Sequence, residues 1–376
     1  MATEKKERLI FIDVLRGIAV IWMIQTHTLS IMATEFKTGL FYSLLSISNG
    51  YVAVTFLFCA GAGFWIAAER KVSSYKKFEM PLWLYLKRLG FILMIAYFLH
   101  SPIFGLSKLT NITERQINIF FQIDVLQTIV YSSLLALLLL LLSPKNIYFK
   151  YMSIILAAVF FIGAQFTWYS NPFDYLPHFF AFFLAAPPIS KFPLLPWSGY
   201  FFAGIAFTAF FMDSKNREKF SMYFIIIGIL TPTILFALKD FGVDYIKSGL
   251  FLYANPTHSI FRVSAPVLAF SALYLLEKYY RNFKITNLLV VSGRESLYLY
   301  VSHLLIVYGS VLNMGIKYFG INNVTPLTTT FVIFAIILLC VSTAYIWHNL
   351  KNKYPEKSKY IIYANLLILM IFFLIN

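Results

Sequence analysis

The chain has 376 residues, 60% hydrophobic and only 12% charged, with a mean hydropathy of +0.74. Soluble domains carry about 25% charged residues, so the composition excludes a soluble globular protein and points to a polytopic membrane protein. The formal charge of +15 would suggest nucleic acid for a soluble chain. In a membrane protein it reads as the lysine and arginine excess of cytoplasmic segments, and no nucleic-acid partner is expected.

Apolar runs of about 20 residues, rather than alternating strands of about 10, predict helices. Only helices and closed barrels satisfy the backbone in lipid. The expected fold is all-α, with about eleven spans in one transmembrane domain over 1–376. The spans fall at about 9–31, 51–69, 83–103, 117–142, 151–169, 192–212, 221–238, 259–279, 287–313, 327–348 and 360–375. The piece 178–188 (HFFAFFLAAPP) is too short to cross and reads as re-entrant or interfacial. Placing the N-terminus in the cytoplasm puts Lys5, Lys6 and Arg8, then Arg70, Lys71, Lys76 and Lys77, and later Lys351, Lys353, Lys357 and Lys359 inside. Outside segments, with residues such as Lys37, Lys239, Lys247 and Lys317, carry fewer, apart from a tie between 104–116 and 143–150. That asymmetry supports a cytoplasmic N-terminus and an outside C-terminus. Cys59 and Cys340 fall inside spans and suggest neither a disulfide framework nor a thiolate metal site. No internal repeat is visible, which counts against many secondary transporters.

The first span, RLIFIDVLRGIAVIWMIQTHTLSI over 8–31, carries Arg8, Asp13, Arg16 and His27. Ionisable residues inside a span are costly and are functional-site candidates by default. Arg16 and His27 are eleven positions apart, so they share a helix face about 16 Å apart, with Asp13 about one turn from Arg16. A structural ion pair and a histidine at the membrane–water interface are the plain alternatives. FLFCAGAGF at 56–64 reads as close helix packing. In YLKR at 85–88, Arg88 either snorkels or contacts a phosphate-bearing cosubstrate. In FFQIDVLQ at 120–127, Asp124 with Gln122 and Gln127 reads first as a structural polar knot and second as catalytic. In FPLLPWSGYFFAG at 192–204, the prolines and Trp197 fit an interfacial span start, and a pocket-lining role stays open. In GRESLYLYVSH at 293–303, an unbroken helix would turn Arg294 and His303 to opposite faces and leave Glu295 about 80° from His303.

Depth then sorts the polar residues. His27, His100, His178, His258 and His303 fall toward the outside, His348 inside, and Arg16 and Arg88 toward the inner face. Histidine is the usual proton-transfer residue near neutral pH, and arginine the usual phosphate clamp. The pattern suggests an anion-holding inner half and a proton-handling outer half.

The motifs IDVLRGIAVIWMIQTH, FLFCAGAGF, FQIDVLQ, FPLLPWSGYFFAG and GRESLYLYVSH, in that order, resemble the transmembrane acyltransferase superfamily. The likeness is nearest to the heparan-α-glucosaminide N-acetyltransferase catalytic-domain group and more distant to acyltransferase family 3. It covers most of the chain, and the Arg16 to His27 spacing is its most specific part. The resemblance implies a membrane-embedded O- or N-acetyltransferase. Such an enzyme moves an acyl group, in the first place acetyl, from cytoplasmic acyl-CoA to an extracytoplasmic acceptor, usually a sugar of a glycan, at the cell membrane. By likeness, His27 is the catalytic histidine and Arg16 holds the acyl donor. In the lysosomal enzyme the active histidine follows the first span, whereas 32–50 here contains none, so His27 must serve. The candidate site is therefore His27 and His303 for catalysis, Arg16, Arg88 and Asp13 for the donor, and Asp124, Gln127 and Glu295 as polar support. Acyl-CoA is the expected cosubstrate, with no bound cofactor. No metal is implied, since no histidine or carboxylate cluster has ligand spacing. General-base transfer and an acyl-histidine intermediate both stay open, as does a homodimer. A transporter of an anionic or sugar-linked metabolite, or a structural subunit of an envelope-polymer complex, are the other readings.

Overall fold

The structure, a computed structural model, describes residues 9–237, 253–319 and 324–375. Lys5, Lys6, Arg8, Lys239 and Lys247, used above for orientation, lie outside the described residues. The chain forms two compact units. The first joins Met1–Val52 to Ala269–Ile371, and the second joins Ala53–Leu268 to Phe372–Asn376.

The helices run in order α1 (Ile10–Thr28), α2 (Gly39–Glu69), α3 (Val72–Lys76), α4 (Met80–Leu99), α5 (Glu114–Phe121), α6 (Val125–Leu142), α7 (Asn146–Tyr169), α8 (His178–Ala181), α9 (Leu194–Asp213), α10 (Arg217–Ala237), α11 (Pro256–Tyr280), α12 (Lys284–Arg294), α13 (Ser296–Val307), α14 (Pro326–Lys353) and α15 (Pro355–Ile375). Ten of the described helices are long and apolar enough to cross a membrane. Strands among the described residues amount to one hairpin, Gly309–Ser310 against Asn313–Met314. The protein is an all-α, multi-pass membrane protein.

Two expected spans are interrupted. The stretch 117–142 is the short helix α5 followed by α6. Asp124 leaves helical geometry (φ −114°, ψ −179°) and caps α6, its side chain and that of Gln127 forming a reciprocal capping box. A carboxylate at this position satisfies amide groups that have no partner within the helix, so it starts a helix instead of sitting inside one. The stretch 287–313 is α12 and α13, broken at Glu295 (φ −97°, ψ 24°), and then the hairpin. The helical-wheel relation of Arg294 and Glu295 to His303 therefore does not hold. The break lets two neighbouring side chains reach different helices, as described below.

In the first unit, α1 packs against α12, α13 and α14. It buries Phe11, Val14, Leu15, Ala19, Val20 and Ile24. The α1–α12 contact is backbone on backbone. A Cβ on Gly17 would run into the Leu289 carbonyl oxygen, and a Cβ on Gly293 into the Asp13 carbonyl oxygen. In the second unit, α9 packs against α6 and α7 around fully buried Phe58, Trp65, Phe149, Phe201 and Phe202. FLFCAGAGF is seen in its packing role there, with Gly61 against the Phe201 carbonyl and Gly204 against that of Phe58.

Both glycines of the α1–α12 seam face fixed backbone, so Gly17→Val and Gly293→Val are expected to lower stability by about 1–3 kcal/mol or more, as overpacking does. On α4, Gly90 has nothing within 4 Å of an added Cβ, and Gly90→Ala should leave the melting temperature in detergent unchanged or raise it. Thermal melts of the three variants check the contrast.

Candidate active site

Because α1 is continuous from Ile10 to Thr28, Arg16 and His27 do share a face, about 16 Å apart along the axis. His27 is half-buried in the last turn. Its Nδ1 shares a 3.1 Å hydrogen bond with the Tyr308 hydroxyl. Its ring centroid lies 5.3 Å from that of His303 and 5.5 Å from that of Tyr308. On α13, Tyr300, His303 and Val307 are all buried, spaced so that they line one helix face. Tyr308 stands just past the end of α13 and is 41% exposed, with the Lys317 ammonium 5.3 Å from its ring. His303 is 0% exposed. The three side chains thus run from surface to core in the order Tyr308, His27, His303.

The hydrogen bonds of His303 assign its tautomer. Nδ1 lies 2.7 Å from the Leu299 carbonyl oxygen. A carbonyl only accepts, so Nδ1 carries the proton and Nε2 holds the lone pair. That buried Nε2 has no hydrogen-bond partner among the described residues. Buried polar atoms are nearly always paired, so a ring nitrogen 0% exposed with no partner among the described residues, beside a second imidazole, is an exception.

A second polar cluster in this unit joins α1, α12 and α14. Arg294 Nε donates to Asp13 Oδ2 at 3.3 Å. Glu295 accepts from Lys351 at 2.6 Å and pairs with His348 Nδ1 at 2.8 Å. Asn352 lies 3.0 Å from the other nitrogen of His348. Asp13 and Glu295 each meet a cation, Arg294 and Lys351, which is how charge persists in an apolar setting. Asp13 and Glu295 therefore stand in ion pairs that fix helices. Arg16 is half-buried on α1.

The other candidates belong to the second unit. Arg88 is exposed on α4. Asp124 is a structural knot. Its carboxylate pairs with His100 Nε2 at 3.1 Å and Lys191 at 3.8 Å and accepts from the Val125 amide at 2.6 Å. Around it, Phe192 N donates to the Ile123 carbonyl and Ile123 N to Ser190 Oγ. The Gln127 side chain is fully buried, accepts from the Asp124 amide at 3.3 Å and leaves Nε2 without a partner. These bonds fasten the turn at 122–128 to the segment before α9.

Sequence reasoning missed Tyr308, the Asp13–Arg294 pair and the joining of Glu295 to His348. Tyr308 lies five positions after His303, a separation that an unbroken helix would not bring to one face. The end of α13 does so. Among the described residues, no group of three histidine, cysteine or acidic side chains is placed to hold a metal.

No curated protein sequence matches the chain significantly. The family model for "Heparan-alpha-glucosaminide N-acetyltransferase, catalytic" matches residues 8–236. That region is more than half of the chain and includes α1 with Arg16 and His27. It stops before α12 and α13, which carry the partners of α1. The motifs, the polytopic helical fold and this match agree: the chain belongs to the heparan-α-glucosaminide N-acetyltransferase catalytic family and is, with it, a membrane acetyltransferase.

Proposed function

We propose that the protein transfers an acyl group, in the first place acetyl, from cytoplasmic acyl-CoA to a sugar acceptor on the far side of the cell membrane, its N-terminus being cytoplasmic. The observation that carries this reading is the His27–His303 pair beneath Tyr308, with an unpaired, fully buried Nε2 on His303.

In the direct route, imidazole takes the proton from the acceptor hydroxyl or amine as that atom attacks the thioester carbonyl. The carbon–sulfur bond breaks, and the imidazolium returns the proton to the CoA thiolate. In the covalent route, an imidazole nitrogen attacks the thioester, the carbon–sulfur bond breaks and the ring's N–H proton passes to the thiolate; the acceptor then displaces the acyl group from the ring and its proton returns to the imidazole. Both routes use the same two rings. The Tyr308 hydroxyl holds His27 in orientation, and the Leu299 carbonyl holds His303 in its tautomer. Arg16, about 16 Å down the same helix, takes a phosphate of CoA. An extended phosphopantetheine arm is long enough to reach from there toward His27.

Release of CoA from acetyl-CoA by purified protein in detergent tests the assignment. His27→Ala is expected to lower turnover by about 10²-fold or more, the usual worth of a positioned acid–base group. Arg16→Ala should raise the KM for acetyl-CoA more than it lowers kcat. If the wild type neither binds nor hydrolyses any acyl-CoA while it moves an anionic or sugar-linked metabolite across vesicles, the transport reading replaces this one.

Tyr308→Phe removes only the hydroxyl that meets His27. A hydrogen bond worth about 1.4 kcal/mol in the transition state corresponds to about tenfold in kcat, with KM and melting temperature unchanged. An unaltered kcat would make that contact a packing detail.

A further inference from the structure

The second unit holds a cation with no counter-ion among the described residues. Arg262 lies in the second turn of α11 and is 4% exposed. No carboxylate among the described residues lies within ion-pair distance of it. Its guanidinium carbon sits 4.9 Å from the Tyr253 ring and 5.4 Å from the Trp197 ring. Those two rings are stacked, 6.1 Å apart with planes 29° from parallel. Aromatic rings take the faces of a guanidinium and leave its in-plane N–H fork to a planar or tetrahedral oxyanion.

The surrounding polar atoms point the same way. Trp197 is 6% exposed, and its indole N–H is buried with no acceptor among the described residues. Ser259 is fully buried, and its hydroxyl has no geometric hydrogen-bond partner. The Tyr200 hydroxyl is within polar reach of both Arg262 and Ser259. His258 Nε2, on the same turn as Ser259, is likewise buried and unpartnered. Arginine and indole only donate, and a hydroxyl can donate as well as accept. An unpaired guanidinium in a membrane span is costly, as is each buried donor left without an acceptor. An occupant that relieves all of these together brings negative charge and several acceptor oxygens. A carboxylate has two oxygens. A phosphate group has more, spread tetrahedrally, and suits a fork with separate indole and hydroxyl donors around it.

We infer that Arg262, with Trp197, Tyr200 and Ser259, forms a binding site for a phosphate group in the second unit. The inference does not depend on acyl transfer. The phosphate comes either from a soluble phosphorylated ligand or from a phospholipid headgroup.

Intrinsic fluorescence and thermal melting of delipidated protein in nonionic detergent, titrated with inorganic phosphate or acetate at constant ionic strength, test the site. Phosphate is expected to give a saturable change and a higher melting temperature, with acetate much weaker. Arg262→Met should weaken phosphate at least tenfold, and Trp197→Phe severalfold. Without phosphate, Arg262→Met should melt no lower than the wild type, because it removes a buried charge that has no partner. Phosphorus assay of protein before delipidation separates the sources. Phospholipid retained by the wild type and lost in Arg262→Met identifies a headgroup. Phosphate binding that stays saturable in phosphatidylcholine nanodiscs identifies a soluble ligand. The inference is overturned if delipidated wild type gives no saturable response and retains no Arg262-dependent phospholipid, or if acetate binds as well as phosphate. It is also overturned if Arg262→Met fails to fold or melts well below the wild type, which would make the guanidinium a prop for the aromatic layer.

Discussion

The first unit depends on two helices meeting without side chains between them. Gly17 lies on the Leu289 carbonyl and Gly293 on that of Asp13, so α1 and α12 touch along their backbones. Glycine inside a helix costs about 1 kcal/mol against alanine. In a bilayer, where lipid is as apolar as leucine, close backbone packing is a main source of helix association. The seam also sets positions. It places Asp13 where Arg294 reaches it, and α13, which follows after one residue, lies beside the outer half of α1. The His27–His303 distance is thus a consequence of two missing methyl groups about three turns further in.

The polar residues divide by how well they are satisfied. Asp13 and Glu295 each meet basic side chains, Arg294 for the first and Lys351 and His348 for the second, within a few ångströms, and Asp124 is tied by His100, Lys191 and an amide. These groups hold helices and turns. His303 Nε2 has no partner among the described residues, although burial without one is costly. The paired groups and His303 include the same residue types, so residue identity alone does not separate them.

Much of the architecture is legible in the sequence because the membrane imposes it. Apolar runs of about 20 residues have few other uses. The interruptions are harder to read, because apolar residues continue through them. Asp124 and Gln127 do carry the spacing of a capping box, as do Thr113 and Gln116, and that signal outranks the hydropathy of 117–142. The break at Glu295 has no comparable local signature. It coincides with ion pairs to α14, a helix some fifty positions away. On the face of α1, Arg16 and His27 were readable from spacing, since a single helix fixes both. His303 was visible only as a histidine in a span. Its nearness to His27, its tautomer and the contribution of Tyr308 arise from contacts distant in sequence, which no periodicity encodes.

The order of synthesis meets an awkward geometry in the first unit. Asp13 and Arg294 are 281 positions apart, and so are His27 and Tyr308. At about 5–20 residues per second, roughly 14–56 s separate the appearance of α1 from that of its partners. During that interval a span that carries Asp13, Arg16 and His27 is already in or near the bilayer, while α12 to α14 do not yet exist. The intervening residues of the second unit can meanwhile pack among themselves. The first helix made is then among the last to find its place, and its charges need temporary shelter from lipid, from water at the interface or from the insertion machinery.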